Sequence, residues 1–288
     1  MDPLPRIERC LQDALASACA EGPPRLAGAM RHAVFPGGAR IRPRLCIAVA
    51  MACGDDAPRA AEAMAVAIEL LHCASLVHDD LPCFDNADER RGQAAVHRAY
   101  GERLAVLAGD ALIVLAFEAL ARGAAAAPAR LVPLLATLTR AVGAPHGIAA
   151  GPALECEPRV MLSDYQRAKT GALFVAATVG GAESAGADPA PWRALGDRLG
   201  EAYQVADDIR DVLGDRAMLG KPSGRDAELG RPSAAEALGL DGAIRHFDDL
   251  IERALASIPT CRGAEQFRAL LEHEAERLLP AELTSLAA

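Results

Sequence analysis

The chain is short of aromatic residues: Phe, Trp and Tyr make up 3% of its 288 positions, although 51% of the residues are apolar. A core without large rings has to be filled by Ala, Leu, Val and Ile, and an Ala- and Leu-rich chain favours closely packed helices over sheets. An excess of positive charge is absent too. Against 30 Lys and Arg stand 39 Asp and Glu, a net charge of −9 that leaves no basic footprint for nucleic acid or an anionic membrane surface. The eight cysteines form no Cys-x-x-Cys pair and no signal-like stretch opens the chain, which fits a reducing cytoplasm. The longest uncharged segments, such as Ala141 to Leu154, hold Gly, Pro and His. They fall short of the roughly 20 apolar residues of a spanning helix, so no stable membrane insertion is expected. No linker and no repeat of roughly 20 to 50 residues divides the chain. Residues 1–288 therefore read as a single all-α domain.

What is present is a series of apolar stretches at helical spacing, broken by Gly and Pro near Phe35 to Gly38, Gly54 to Pro58, Leu81-Pro82, Ala127-Pro128, Gly180-Gly181 and Gly214 to Gly224. The spacing predicts a helix over Ala60 to His78 that must stop close to Pro82. Arg103 to Arg122 is apolar on almost every side and reads as a buried central helix. Ser163 with Gln166 has the form of a capping box ahead of Lys169 and Thr170. Asp188, Pro189 and Pro191 open a helix with Leu195, Leu199, Tyr203 and Ala206 on its inner face.

Two places on these helices are electrostatically costly. Asp79 and Asp80 stand together at a helix C-terminus, with Asp85 shortly after; Asp207, Asp208 and Asp211 repeat the arrangement near the end of the Tyr203 helix. Acids at a helix C-terminus oppose its partial negative charge by about 0.3–1 kcal/mol each and also repel one another. A solvated helix end accounts for one such cluster; two of the same shape point to a hard divalent cation, since Mg²⁺ is bound by one or two carboxylates with waters and substrate phosphates. Cations that could meet a phosphate are Arg40, Arg42, Arg90, Arg91, Lys169 and Lys221. His72 lies two turns before Asp79 on the same helix face.

Gly37-Gly38-Ala39-Arg40-Ile41-Arg42-Pro43, His72 through Asp79-Asp80-Leu81-Pro82-Cys83-Phe84-Asp85, Arg90-Arg91-Gly92, Gly109-Asp110, Lys169-Thr170-Gly171, Gln204 through Asp207-Asp208-Ile209-Arg210-Asp211, and Gly220-Lys221 follow one another in order along nearly the whole chain. In this order they resemble the motifs of the trans-isoprenyl diphosphate synthases. Within that family the wording around Gly37 to Arg40 and Cys73 to Val77 is most similar to geranylgeranyl diphosphate synthases of carotenoid pathways. The resemblance implies a bundle of about ten or more helices around a central cavity, acting as a homodimer. It implies three Mg²⁺ ions holding an allylic diphosphate between the clusters, and head-to-tail addition of isopentenyl diphosphate to the allylic carbocation. By matching position, the metal residues would be Asp79, Asp80, Asp85, Asp207, Asp208 and Asp211. Arg90, Lys169 and Lys221 would grip the allylic diphosphate, and Arg42, His72 and Arg91 isopentenyl diphosphate, with Arg40 a further substrate-binding residue that could stand in for the missing Lys at Ala39. Thr170 and Gln204 would steady the carbocation, while His78 and His97 are left to structure.

Three departures from the family pattern stand out: Ala39 where most members have Lys, Pro152 after Gly151 where Gln is usual, and Pro232 to Ala235. Product length is expected to depend on the space below the first Asp cluster, where Ala74 and Ser75 are both small. The expected product is geranylgeranyl diphosphate. The alternatives are farnesyl diphosphate, or a weakly active or non-catalytic partner subunit of another synthase.

Overall fold

The computed structural model describes residues 2–35, 37–159, 161–213 and 233–279. Its elements in chain order are α1 (Leu4–Cys19), α2 (Pro24–Val34), α3 (Ile41–Cys53), α4 (Pro58–Asp79), a two-residue hairpin of β1 (Glu89–Arg90) and β2 (Gln93–Ala94), α5 (Val96–Tyr100) and α6 (Glu102–Gly123). There follow α7 (Pro128–Val142), α8 (Ala150–Leu154), α9 (Leu162–Gln166), α10 (Ala172–Ser184), α11 (Ala190–Leu213), α12 (Ala234–Leu238), α13 (Leu240–Ala256) and α14 (Ala264–Glu276). The expected all-α architecture is what forms.

Small residues decide the packing. Helix α4 carries Ala60, Ala61, Ala63, Ala65 and Ala67 among Met64, Ile68, Leu70 and Leu71, all buried, so neighbours approach it from every side. It packs against α1, α2, α3, α6, α7 and α10. Truncating Ile68 or Leu71, both fully enclosed, costs about 2–5 kcal/mol by loss of transfer energy and the cavity left behind. The central helix is thus α4 rather than α6, which the sequence pattern favours. Helix α6 buries Ala105, Ala108, Leu112, Leu115, Ala116 and Leu120 but leaves Val106, Leu107 and Val114 in solvent, the last at 67% exposure. Both α4 and the segment Glu102–Ala126 are long and apolar enough to cross a membrane by length and composition alone; α4 is mostly enclosed by protein. One of the few aromatic pairs, Trp192 edge-on to Phe267 at 5.5 Å, ties α14 to α11.

Local signals set the element ends. Asp188 accepts the Ala190 amide at 3.0 Å, starting α11 beside Pro189 and Pro191. The helix opens at Leu162, ahead of the expected Ser163 cap position, with the Met161 carbonyl accepting the Asp164 and Tyr165 amides. After α9 the helix widens into a π-turn over Arg167–Gly171 before resuming as α10. Such turns concentrate at functional sites, and this one holds Lys169 and Thr170.

Candidate active site

Helix α4 delivers the first acidic cluster. Its last residue is Asp79, Asp80 follows as the cap, and the chain then folds back on itself: the Asp85 amide donates to the Asp79 carbonyl at 2.9 Å, and the Asn86 amide to the Leu81 carbonyl at 3.0 Å. This return loop brings Asp85 beside the end of the helix. Asp80 is buried and held by Arg90, whose Nε donates to its carboxylate at 3.0 Å and 3.3 Å while Nη2 contacts the same group. Burial raises the Asp80 carboxyl against that ion pair. Asp79 rises further, to about 6, chiefly through burial and secondarily through Asp85, with Lys169 and Arg90 pulling the other way.

The second cluster lies on α11, and Lys169 and Thr170 stand between the two. Lys169 is close enough to Asp79 to act on its charge. Its ammonium donates to the Tyr165 hydroxyl at 2.6 Å and to Glu155 at 3.3 Å, and Tyr165 donates to the same Glu155 oxygen at 2.6 Å. Thr170 donates to Gln204 Oε1 at 2.7 Å; the Gln204 amide nitrogen donates to Asp208 at 2.9 Å. The other Asp208 oxygen accepts the Ala234 amide at 2.7 Å, where α12 begins. Asp208 is therefore buried between a catalytic candidate and a helix start, and it holds the Gln204 amide in place. Asp207 pairs with Arg210.

A third group of residues differs in kind. Arg42 Nη1 lies 3.4 Å and Arg91 Nη2 3.3 Å from Nε2 of His72. Burial, then Arg42 and Arg91, push His72 well below its ordinary range, so the imidazole is neutral and its Nε2 can accept from both. Arg42 also lies over Phe174 at 4.8 Å and Tyr203 at 5.4 Å, and Arg210 over the same Tyr203 at 5.6 Å, which links this cluster to the second acidic one. Arg42 Nε and Arg91 Nη1 are buried without a hydrogen-bond partner among the described residues. Arg91 and Gly92 form the two-residue turn of the hairpin with φ of 53° and 74°. Left-handed geometry suits Gly or Asn in such a turn and strains Arg, so this side chain is placed at a conformational cost.

The structure sets Arg40 apart from these residues. Its side chain is fully enclosed, and it donates to Glu8 at 2.8 Å, Glu69 at 2.6 Å and the Val34 carbonyl at 2.8 Å, which turns it into the protein and away from the surface a substrate reaches. Pro152 lies in the first turn of α8, where its missing amide has no intrahelical acceptor to lose. Gly151 beside it touches the Lys169 backbone, 2.9 Å from where a Cβ would sit, and Glu155 keeps its contact with Lys169. Ala74 is buried in the α4 core and Ser75 is half-buried, its hydroxyl donating to the His72 carbonyl at 2.9 Å. His78 packs on Gly109, with Nε2 3.3 Å from the Val106 carbonyl. Lys221 and Pro232 lie outside the described residues. Tyr165 and Tyr203 are site residues that no sequence motif marked.

These groups fit Mg²⁺. Among the described residues no three His, Cys, Asp or Glu side chains form a closed cage. An ion that keeps waters and shares its sphere with phosphates needs only one or two carboxylates from each side, and Asp79, raised chiefly by burial and then by Asp85, is a desolvated carboxyl whose charged form a cation would stabilise.

Residues 23–262 match the polyprenyl synthetase family model. The chain belongs to that family. Its sequence is 51% identical to the geranylgeranyl diphosphate synthase of Cereibacter sphaeroides, over 97% of this chain and 99% of that one. It is 50% identical to the geranylgeranyl diphosphate synthase of Rhodobacter capsulatus, over 95% of each. Among solved structures it is similar to a geranyltransferase from Helicobacter pylori complexed with magnesium and isoprenyl diphosphate, with a TM-score of 0.79, 28% identity, and 96% and 98% of the two chains covered.

Proposed function

We propose that this chain condenses isopentenyl diphosphate head-to-tail with an allylic diphosphate and that its product is geranylgeranyl diphosphate. The observation that carries the reading is the joining, through Lys169, Thr170, Gln204 and Tyr203, of two carboxylate clusters with the cluster of Arg42, His72 and Arg91. One end of the site takes a diphosphate together with cations; the other takes a diphosphate by itself. Bound Mg²⁺, held by Asp79 and Asp85 on one side and Asp207 and Asp211 on the other, would neutralise the leaving diphosphate. Lys169, kept in place by Tyr165 and Glu155, holds the same leaving group, and Arg90 keeps Asp80 in line behind it. Arg42, Arg91 and the neutral His72 hold isopentenyl diphosphate so that its double bond faces the allylic carbon. The allylic C–O bond breaks with its electron pair leaving on diphosphate, the double bond attacks the carbocation, and a proton is lost to the released diphosphate. The Thr170 and Gln204 oxygens offer their dipoles to the cation without a nucleophile.

The working form is a homodimer in the cytoplasm. Support for the dimer comes from α6 and α7, on which Val106, Leu107, Val114, Val132 and Leu135 are all exposed, the kind of apolar exposure a subunit interface covers. The small Ala74 and Ser75, close before Asp79 on α4, are the positions on which the length of the product would depend.

The deciding experiment incubates purified protein with Mg²⁺, isopentenyl diphosphate and primers of five, ten or fifteen carbons and sizes the dephosphorylated products. A twenty-carbon product is expected; no elongation of any primer overturns the reading, and a fifteen-carbon limit selects farnesyl diphosphate. Ala74→Phe is expected to shorten the product. An unchanged product would move the cavity floor elsewhere.

A further inference from the structure

Beneath Arg42, His72 and Arg91 lies a buried ion pair that touches neither substrate nor metal residue. Arg40 and Glu69 meet at 2.6 Å with side chains 0% and 2% exposed. Burying two charges is costly, and such pairs can often be replaced by apolar residues without loss of stability. Their value is therefore sought in geometry. The planar fork of Arg40 reaches three acceptors on three segments: Glu8 on α1, the Val34 carbonyl at the end of α2, and Glu69 on α4. A lysine could not hold all three. Arg40 itself stands in the left-handed region, φ 51° and ψ 38°, immediately before α3. A Cβ on Gly37 would overlap the Arg40 guanidinium, so the loop from Gly37 lies flat on it. The next residue, Gly38, places its α-carbon face against Arg91, 3.1 Å from where a Cβ would meet Nε. Arg42 follows in the first turn of α3. On α4, Glu69, His72 and Cys73 share one face. Cys73 Sγ lies 3.9 Å from Glu69 and interacts with Arg91.

We propose that Glu69, acting through Arg40, is a positioning residue that fixes the loop from Gly37 to Arg42 and the underside of Arg91, and so sets the affinity for isopentenyl diphosphate. This rests on the assignment of Arg42, His72 and Arg91 to that substrate.

Steady-state kinetics on Glu69→Gln, with both substrates varied and folding checked by thermal melting, tests it. The expected result is a KM for isopentenyl diphosphate raised about tenfold, with kcat and the allylic KM within about twofold. The sign discriminates: removing a negative charge near an anion site would by charge alone lower that KM. A fall, no change, or a loss shared by both substrates overturns the proposal. Should Glu69→Gln fail to fold, Gly37→Ala decides, because it keeps every charge and displaces the loop; the same selective rise is expected, and an unchanged KM overturns the proposal. Arg91→Ala is the control. If it leaves the isopentenyl diphosphate KM unchanged, the assignment of the site falls and the proposal with it. If it raises that KM while Glu69→Gln does not, the positioning role alone falls.

Discussion

On the Asp79 side of the site each of three cations has a carboxylate against it: Arg90 on Asp80, Lys169 on Glu155 and Arg210 on Asp207. On the His72 side Arg42 and Arg91 converge on a neutral imidazole, with no carboxylate partner for either among the described residues. An acid-rich pocket cannot take a polyanion until added positive charge reverses its sign, whereas one whose arginines are not paired with carboxylates can. The two ends are therefore expected to differ in what they need as well as in what they bind.

The sharpest way to break this contrast is Asp79→Asn, for which a fall in kcat of about 10³-fold or more is expected, as for loss of a group acting on transition-state charge. An effect confined to KM would place Asp79 outside the chemistry. Next is metal removal. With a chelator in excess, equilibrium titration should show the allylic diphosphate losing about 10²-fold or more in affinity while isopentenyl diphosphate changes by less than about threefold. Parallel losses would erase the distinction between the ends. Arg91→Ala is expected to raise the isopentenyl diphosphate KM by about thirtyfold, the scale of one charged hydrogen bond, and to leave the allylic KM nearly unchanged.

The smallest effect is on stability. In metal-free protein Asp79 titrates at about 6 against an ordinary 3.8, so between these values the folded chain keeps a proton that the unfolded chain has lost. Stability is then lost as pH rises through that window, by about 1–3 kcal/mol at most. Chemical denaturation from pH 4 to 7 should show this slope, and Asp79→Asn should flatten it. A slope unaffected by the substitution would assign the effect to other groups.

The acid-rich end was legible in the sequence because its signals are local: carboxylates at a helix end are out of place wherever that helix packs. The chain's two lysines, Lys169 and Lys221, both fall in family motifs. The other end was legible only by resemblance, and there the reading slipped. Arg40 and Arg42 look equivalent two residues apart, and only the left-handed turn at Arg40 sends one guanidinium into the core and leaves the other over Phe174 and Tyr203. Helix α6 misled for a related reason: composition marks it as apolar all round, but cannot say which of its side chains find a neighbour, and Val106, Leu107 and Val114 find none that covers them among the described residues. Tyr165 lies in none of the motifs, and its tie to Glu155 and Lys169 is visible only once α8 and α9 are packed.

The π-turn, Arg167–Gly171, holds one residue more than an α-turn would. Residues on either side of it are thus out of phase by about 100°, the rotation one residue adds to a helix. A helical wheel drawn straight through Leu162 to Ser184 therefore misjudges the angle between residues before and after the turn by that amount. Deleting one residue here would turn the whole stretch before it, Lys169 included if the cut falls after it, away from Asp79 while leaving every side chain intact. Comparisons between relatives across this segment should accordingly count the residues in the turn before matching their identities.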